Sequence, residues 1–208
     1  MLLLILAIFC GVAAEAAPPL ETYGRLPGFE TATISPSGDH LALIGRANDA
    51  RLLLIFGENR QLVMQMALGD SKIRDLQWAG DDMLLLSKSD TVALGLGFTA
   101  DKAELYTALV IPLGGKKPWR IFDSYSAVTG GVRGSYGLNE REGKWYGYFS
   151  GITLDRSGVG EHLNNTNPVL YEVDLQNGKV KNIAERIVYQ LGYRTWLVDV
   201  GGSVCVRL

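Results

Sequence analysis

Cysteine and histidine are nearly absent: the 208 residues contain two of each. Cys10 lies in an apolar N-terminal run, and if it leaves with that run Cys205 has no partner, so no internal disulfide staples the chain. Val204 and Val206 flank Cys205 and mark it as an ordinary strand residue. Neither His40 nor His162 has a metal-spaced cluster of Cys, His or carboxylates around it. Neither sits in a sequence context that pairs it with an activated serine. Basic runs are missing too. None is longer than Lys116-Lys117 and the formal net charge is −2, which excludes the clustered positive surface that nucleic acid requires. No Gly-x-Ser-x-Gly nucleophile elbow occurs. Gly134-Ser135-Tyr136-Gly137 comes nearest, but Arg133 precedes it and it falls in a hairpin. Gly95-Leu96-Gly97 lacks the rest of a phosphate-binding glycine pattern. Alternating helix and parallel strand, which a hydrolase domain needs, is also lacking. The sequence therefore assigns no catalytic, cofactor-binding or metal-binding residue.

Residues 1–16 read as a signal peptide. Leu2 to Val12 is unbroken apolar sequence, and Ala14-Glu15-Ala16 supplies small residues for cleavage after Ala16, although no Lys or Arg precedes the run. The run falls short of the roughly 20 apolar residues that span a bilayer. The expectation is an exported protein, periplasmic or secreted, with no stable membrane span once this signal helix is removed. Residues 17–28 form an extended N-terminal segment.

From residue 29 to 208 short apolar segments alternate with turn residues, the pattern of an all-β fold. Two classes of hairpin alternate. The first turns at Ser35-Pro36-Ser37-Gly38-Asp39, at Ala79-Gly80-Asp81-Asp82, at Asn139-Glu140-Arg141-Glu142-Gly143 and at Asp199-Val200-Gly201-Gly202. Gly accepts positive φ there, Pro presets φ, and Asp or Asn bonds the turning backbone. The second class turns at Gly57-Glu58-Asn59, at Leu113-Gly114-Gly115-Lys116 and at Gln176-Asn177-Gly178, where Asn-Gly predicts a type I′ turn. Paired hairpins make four-stranded antiparallel units at the 40–60-residue period of propeller blades. Leu52-Leu53-Leu54-Ile55-Phe56 is apolar on both faces, as a sheet stacked between neighbours must be. The expected architecture is a partial β-propeller of about three and a half blades, short of the 4–8 that close a ring. A sandwich or barrel of the same hairpins is the alternative.

Pro18-Pro19-Leu20-Glu21-Thr22-Tyr23-Gly24-Arg25-Leu26-Pro27-Gly28-Phe29-Glu30 leads into Ile34-Ser35-Pro36-Ser37-Gly38-Asp39. Leu76-Gln77-Trp78-Ala79-Gly80-Asp81-Asp82, Leu170-Tyr171-Glu172-Val173-Asp174-Leu175 and Trp196-Leu197-Val198-Asp199 follow in order. Over residues 18–208 this resembles the N-terminal propeller of bacterial exported serine peptidases of the prolyl oligopeptidase family, of dipeptidyl aminopeptidase or acylaminoacyl peptidase type. The resemblance implies a propeller that gates peptide access to a following hydrolase domain, which this sequence lacks. Alone, the chain is expected to be inactive and to need no cofactor. Peptides are partners only in a full-length enzyme, and open blade edges offer a route to self-association. The alternative function is a stand-alone periplasmic propeller that binds proteins as a scaffold.

Three further expectations concern local structure. His40 reads as a solvent-facing strand residue. Trp145-Tyr146-Gly147-Tyr148-Phe149 reads as blade core, the alternative being that it lines a peptide-binding channel. Ser87 to Ala103 and Ser150 to Pro168 read as long insertions of the kind that carry function.

Overall fold

The computed structural model describes residues 28–47, 50–94, 100–155, 162–163, 169–184, 195–199 and 201–207, with Pro19. The signal sequence, most of the extended segment and Gly95-Leu96-Gly97 lie outside the described residues.

The described fold is all-β and antiparallel. Strands β1 (Phe29–Ile34), β2 (Leu41–Ala47), β3 (Ala50–Phe56) and β4 (Leu62–Ala67) form one meander in chain order. A second meander runs through β5 (Lys72–Trp78), β6 (Met83–Ala93), β7 (Lys102–Pro112) and β8 (Trp119–Arg120). The third comprises β9 (Val128–Arg141), β10 (Lys144–Asp155), β12 (Val169–Asp174) and β13 (Val180–Ala184), with β11 (His162–Leu163) beside β10. A last hairpin pairs β14 (Thr195–Val198) with β15 (Val204–Arg207). The second and third meanders join into one nine-stranded sheet through a single residue pair, Tyr106 opposite Val132. Among the described residues no sheet closes on itself.

The packing of these units explains their composition. Alternate residues of a strand point to opposite faces. In β6, Leu84 and Leu86 join Ala42, Ile44, Leu53 and Ile55 of the first meander in one core. Their neighbours Met83 and Leu85 face the other way and join Val132, Phe149, Tyr171 and Val173 of the third. Tyr148 and Leu170 then cover Trp196 of the last hairpin. The units are stacked in series, and the inner ones bury both faces. A sheet with one solvated face would alternate apolar with polar residues instead.

The turns of the first-class hairpins also stack in series. The Ser37 amide donates to Asp81 Oδ1 at 2.8 Å, linking the first turn to the second. The Trp145 indole lies against Gly80, and the Tyr148 hydroxyl against Gly202. The Trp78 indole N–H reaches back to the Thr33 carbonyl at 3.2 Å.

Turn chemistry differs from expectation at one site. Asn177-Gly178 is not a type I′ turn, because only Gly178 has positive φ (74°). Asp174 instead accepts bonds from the Gln176 amide and the Asn177 side chain, making an Asx-type turn. Consecutive positive φ occurs instead at Glu142-Gly143 (53° and 73°), between the paired residues Arg141 and Lys144, and also at Asn59-Arg60 (57° and 60°) and Gly114-Gly115 (80° and 85°).

Of the expected insertion at Ser87 to Ala103, residues 87–93 and 102–103 are strand. β6 and β7 pair continuously from Met83–Pro112 to Ala93–Lys102. Its polar sequence hides a cross-strand network centred on Glu104. Glu104 accepts from Ser89 Oγ at 2.7 Å, Thr91 Oγ1 at 2.9 Å, Lys72 Nζ at 3.0 Å and Arg74 Nη2 at 2.9 Å. The hydrogen bond from Ser89, aided by Lys72, Thr91 and Arg74, pulls the Glu104 carboxyl down to about 2. A lowered folded-state value means stability present above 4.5, the ordinary value, and lost as pH falls toward 2. Glu104→Gln should therefore flatten the fall in Tm over that interval, as thermal melts at stepped pH will show. The second expected insertion also begins as strand. β10 runs to Asp155, and β11 pairs Leu163 with Leu154 and His162 with Asp155.

Candidate interaction surface

Ser135 is exposed on β9, opposite Phe149, in strand between two register breaks rather than at a strand-to-helix turn. His40 belongs to the first meander and is not solvent-facing as expected. It is half-buried, its ring lies tilted against Trp78 with centroids 5.9 Å apart, and its Nδ1 is buried without a hydrogen-bond partner. The backbone of His162 is in β11, and that of Cys205 lies opposite Leu197 in β15. Among the described residues no group of three His, Cys, Asp or Glu could hold a metal ion, and no helix is long and apolar enough to cross a membrane.

The aromatic stretch after the third turn is core. Tyr148 and Phe149 are fully buried on opposite faces of β10. The Tyr148 hydroxyl donates to Glu172 Oε2 at 3.0 Å, and Arg141 Nη2 meets the same carboxylate at 2.6 Å. Arg141 also lies over the Tyr146 ring, 4.2 Å from its centroid. Burial, then the hydrogen bond to Glu172, pushes the Tyr148 hydroxyl up to about 12. This group ties β9, β10 and β12 together beside Gly202 of the last hairpin, and Arg141 Nε stays buried there without a hydrogen-bond partner.

One surface stands apart. The first meander buries its inner face against the second, where Arg51 is held by Glu30 at 2.6 and 2.5 Å and by the carbonyls of Gly69 and Ser71. Among the described residues nothing packs on its outer face. Directly opposed residues in antiparallel strands share a face, so the register defines three rows across it. Ile34, Leu41, Phe56 and Leu62 form the first. Ala32, Leu43, Leu54 and Gln65 form the second. Phe29, Gly45, Leu52 and Ala67 form the third, with Phe29 lying over Gly45. Gln65 is the single polar side chain in these rows, and no formal charge occurs. Phe29 is 70% exposed, Ile34 64% and Leu62 50%. An open concavity lined by Leu41 and Phe56 together with the polar Asp39, Glu58, Asn59 and Arg60 adjoins the first row. Solitary exposed apolar side chains are normal on proteins, but a contiguous uncharged patch marks a contact surface.

Leu52 to Phe56 is apolar on both faces in sequence alone. Which of those faces the described residues cover depends on which units stack on which, and that is not encoded locally.

No family model matches the chain, and no curated protein matches it significantly. Among solved structures, two crystal structures of an ACO/RPE65 chimera are similar. One, a point variant, has a TM-score of 0.43 at 13% identity, and the alignment covers 85% of this chain and 48% of the chimera. The other has a TM-score of 0.40 at 13% identity, covering 84% of this chain and 48% of the chimera. The chain thus spans about half the length of these structures. A likeness at this level carries no inference about activity.

Proposed function

We propose that the chain is the non-catalytic propeller part of an exported serine peptidase of the prolyl oligopeptidase type. In this reading its meanders are successive blades, and the propeller gates peptide access to a hydrolase domain that these residues do not include. The observation that carries the reading is the serial stack of four-stranded meanders, apolar on both faces, with no described residue packed on the uncharged outer face of the first. In a ring of blades that face meets the last blade, which makes its composition intelligible. The order of the turn motifs along residues 18–208 adds the family likeness.

Two measurements test this. Purified chain incubated with aminoacyl and prolyl chromogenic substrates should give no turnover; serine-inhibitor-sensitive hydrolysis would overturn the assignment of a non-catalytic role. Genomic sequence past the Leu208 codon should continue in frame into further meanders and then a Gly-x-Ser-x-Gly elbow. A stop followed by unrelated sequence would refute the peptidase reading and leave the stand-alone periplasmic scaffold, for which that outer face would be the binding surface.

A further inference from the structure

We infer that Asn177-Gly178, the only Asn-Gly pair in the sequence, is a latent deamidation site that Asp174 holds shut while the β12–β13 hairpin is closed. The inference is independent of the peptidase reading. Asn-Gly is the dipeptide most open to this chemistry, because glycine has no Cβ to hinder its own nitrogen. The Gly178 nitrogen, having lost its proton, bonds to Asn177 Cγ. The Cγ–Nδ2 bond then breaks, and ammonia leaves after taking a proton from water. A second water opens the resulting succinimide ring at either carbonyl, giving aspartate or isoaspartate. Asn177 is exposed, so burial does not protect it. Its protection is that every polar atom used in ring closure is already hydrogen-bonded.

The Gly178 N–H donates to the Asp174 carbonyl at 2.8 Å. Asn177 Nδ2 donates to Asp174 Oδ2 at 2.8 Å, and Asn177 Oδ1 accepts from the Lys179 backbone N–H at 2.9 Å. Asp174 is itself fixed: it is buried, and its Oδ1 accepts from the Gln176 amide at 2.9 Å. Nucleophile, leaving group and carbonyl oxygen are each tied down. Ring closure needs these bonds to break together, which requires local opening of the hairpin. Conversion is then one-way. It replaces the amide donor with a carboxylate facing Asp174 Oδ2, and two carboxylates sharing a site repel. A hairpin that opens and deamidates therefore recloses poorly, and the site records past opening of the third meander.

The test incubates the full chain at mildly alkaline pH, with and without urea above its unfolding midpoint. Mass spectrometry follows the amide-to-acid gain in the peptide carrying Asn177. Folded chain should deamidate at least about tenfold more slowly, because several hydrogen bonds must break before reaction. Equal rates overturn the proposal. Asp174→Asn keeps an oxygen for the Gln176 amide but sets an NH₂ group against Asn177 Nδ2. In this variant, shown to be folded by circular dichroism, the rate should rise about three- to tenfold, and an unchanged rate overturns the role of Asp174. If the variant does not fold, hydrogen exchange at the wild-type Gly178 amide decides instead. Protection is expected there, and exchange at the free-peptide rate overturns the proposal. Asn177→Asp, which imitates one product, should lower Tm by about 2–4 °C, and an unchanged Tm overturns the one-way step.

Discussion

Gly131→Ala should lower the unfolding free energy by about 3 kcal/mol or more. Gly131 lies on β9 at φ 77°, a conformation that costs any other residue strain, and an added Cβ would run into the Tyr106 carbonyl oxygen. That neighbour is backbone and cannot rotate away. The site also has an architectural role. β9 pairs with β10 at Gly134–Ser150 and again at Thr129–Ile152, so residues 130–133 bulge opposite Gly151 alone. The bulge lets β9 turn from β10 to β7, where Val132 meets Tyr106 and ties the second meander to the third. Losing the close approach removes the one backbone pair between them. Gly114→Ala separates the two contributions. Gly114 has φ 80° but nothing within 4 Å of an added Cβ, so it carries the backbone strain without the collision. Urea titration of both variants should place the Gly131→Ala midpoint well below that of Gly114→Ala, and coincident midpoints would remove the collision from the account.

Leu84→Ala should cost about 2–5 kcal/mol. Leu84 is fully buried between the first and second meanders, and truncation leaves a cavity that rigid sheets fill poorly. The location of the damage is as informative as its size. Units stacked in series contact only their neighbours, as in repeat proteins, so loosening should stay near the altered contact. Amide exchange should accelerate in β1 to β4 with little change in β12 and β13, which belong to the core on the far side of the second meander. Leu85→Ala, one residue along and buried toward the third meander, should reverse the pattern. Uniform acceleration in both variants would mean that the stack unfolds as one block.

The hairpins were legible because turns announce themselves locally. Ser35 to Asp39 and Ala79 to Asp82 connect β1 to β2 and β5 to β6, where the sequence places them. The misreadings share a cause: their determinants are remote. Ser87 to Thr91 looks like loop because it lacks apolar alternation, yet Glu104 and the β7 backbone hold it as strand. His40 looks solvent-facing by its place after a turn, and Trp78, far along the chain, covers it. Apolar residues on both faces of β3 announced stacking but not its order. That no described residue packs on the outer face of the first meander emerges only when the units are placed beside one another.

The double-sided apolar character of β6 removes a safeguard that most strands possess. Where one side meets water, slipping by a single residue drives greasy side chains into solvent and is penalised at once. In β6 a slip merely exchanges Leu84 and Leu86 for Met83 and Leu85, so core burial barely discriminates between alignments. Discrimination passes to the polar tip, where Lys72, Ser89, Thr91 and Arg74 converge on Glu104 in only one alignment. That ionic knot acts as the proofreader of strand pairing, chosen for its selectivity more than for its strength.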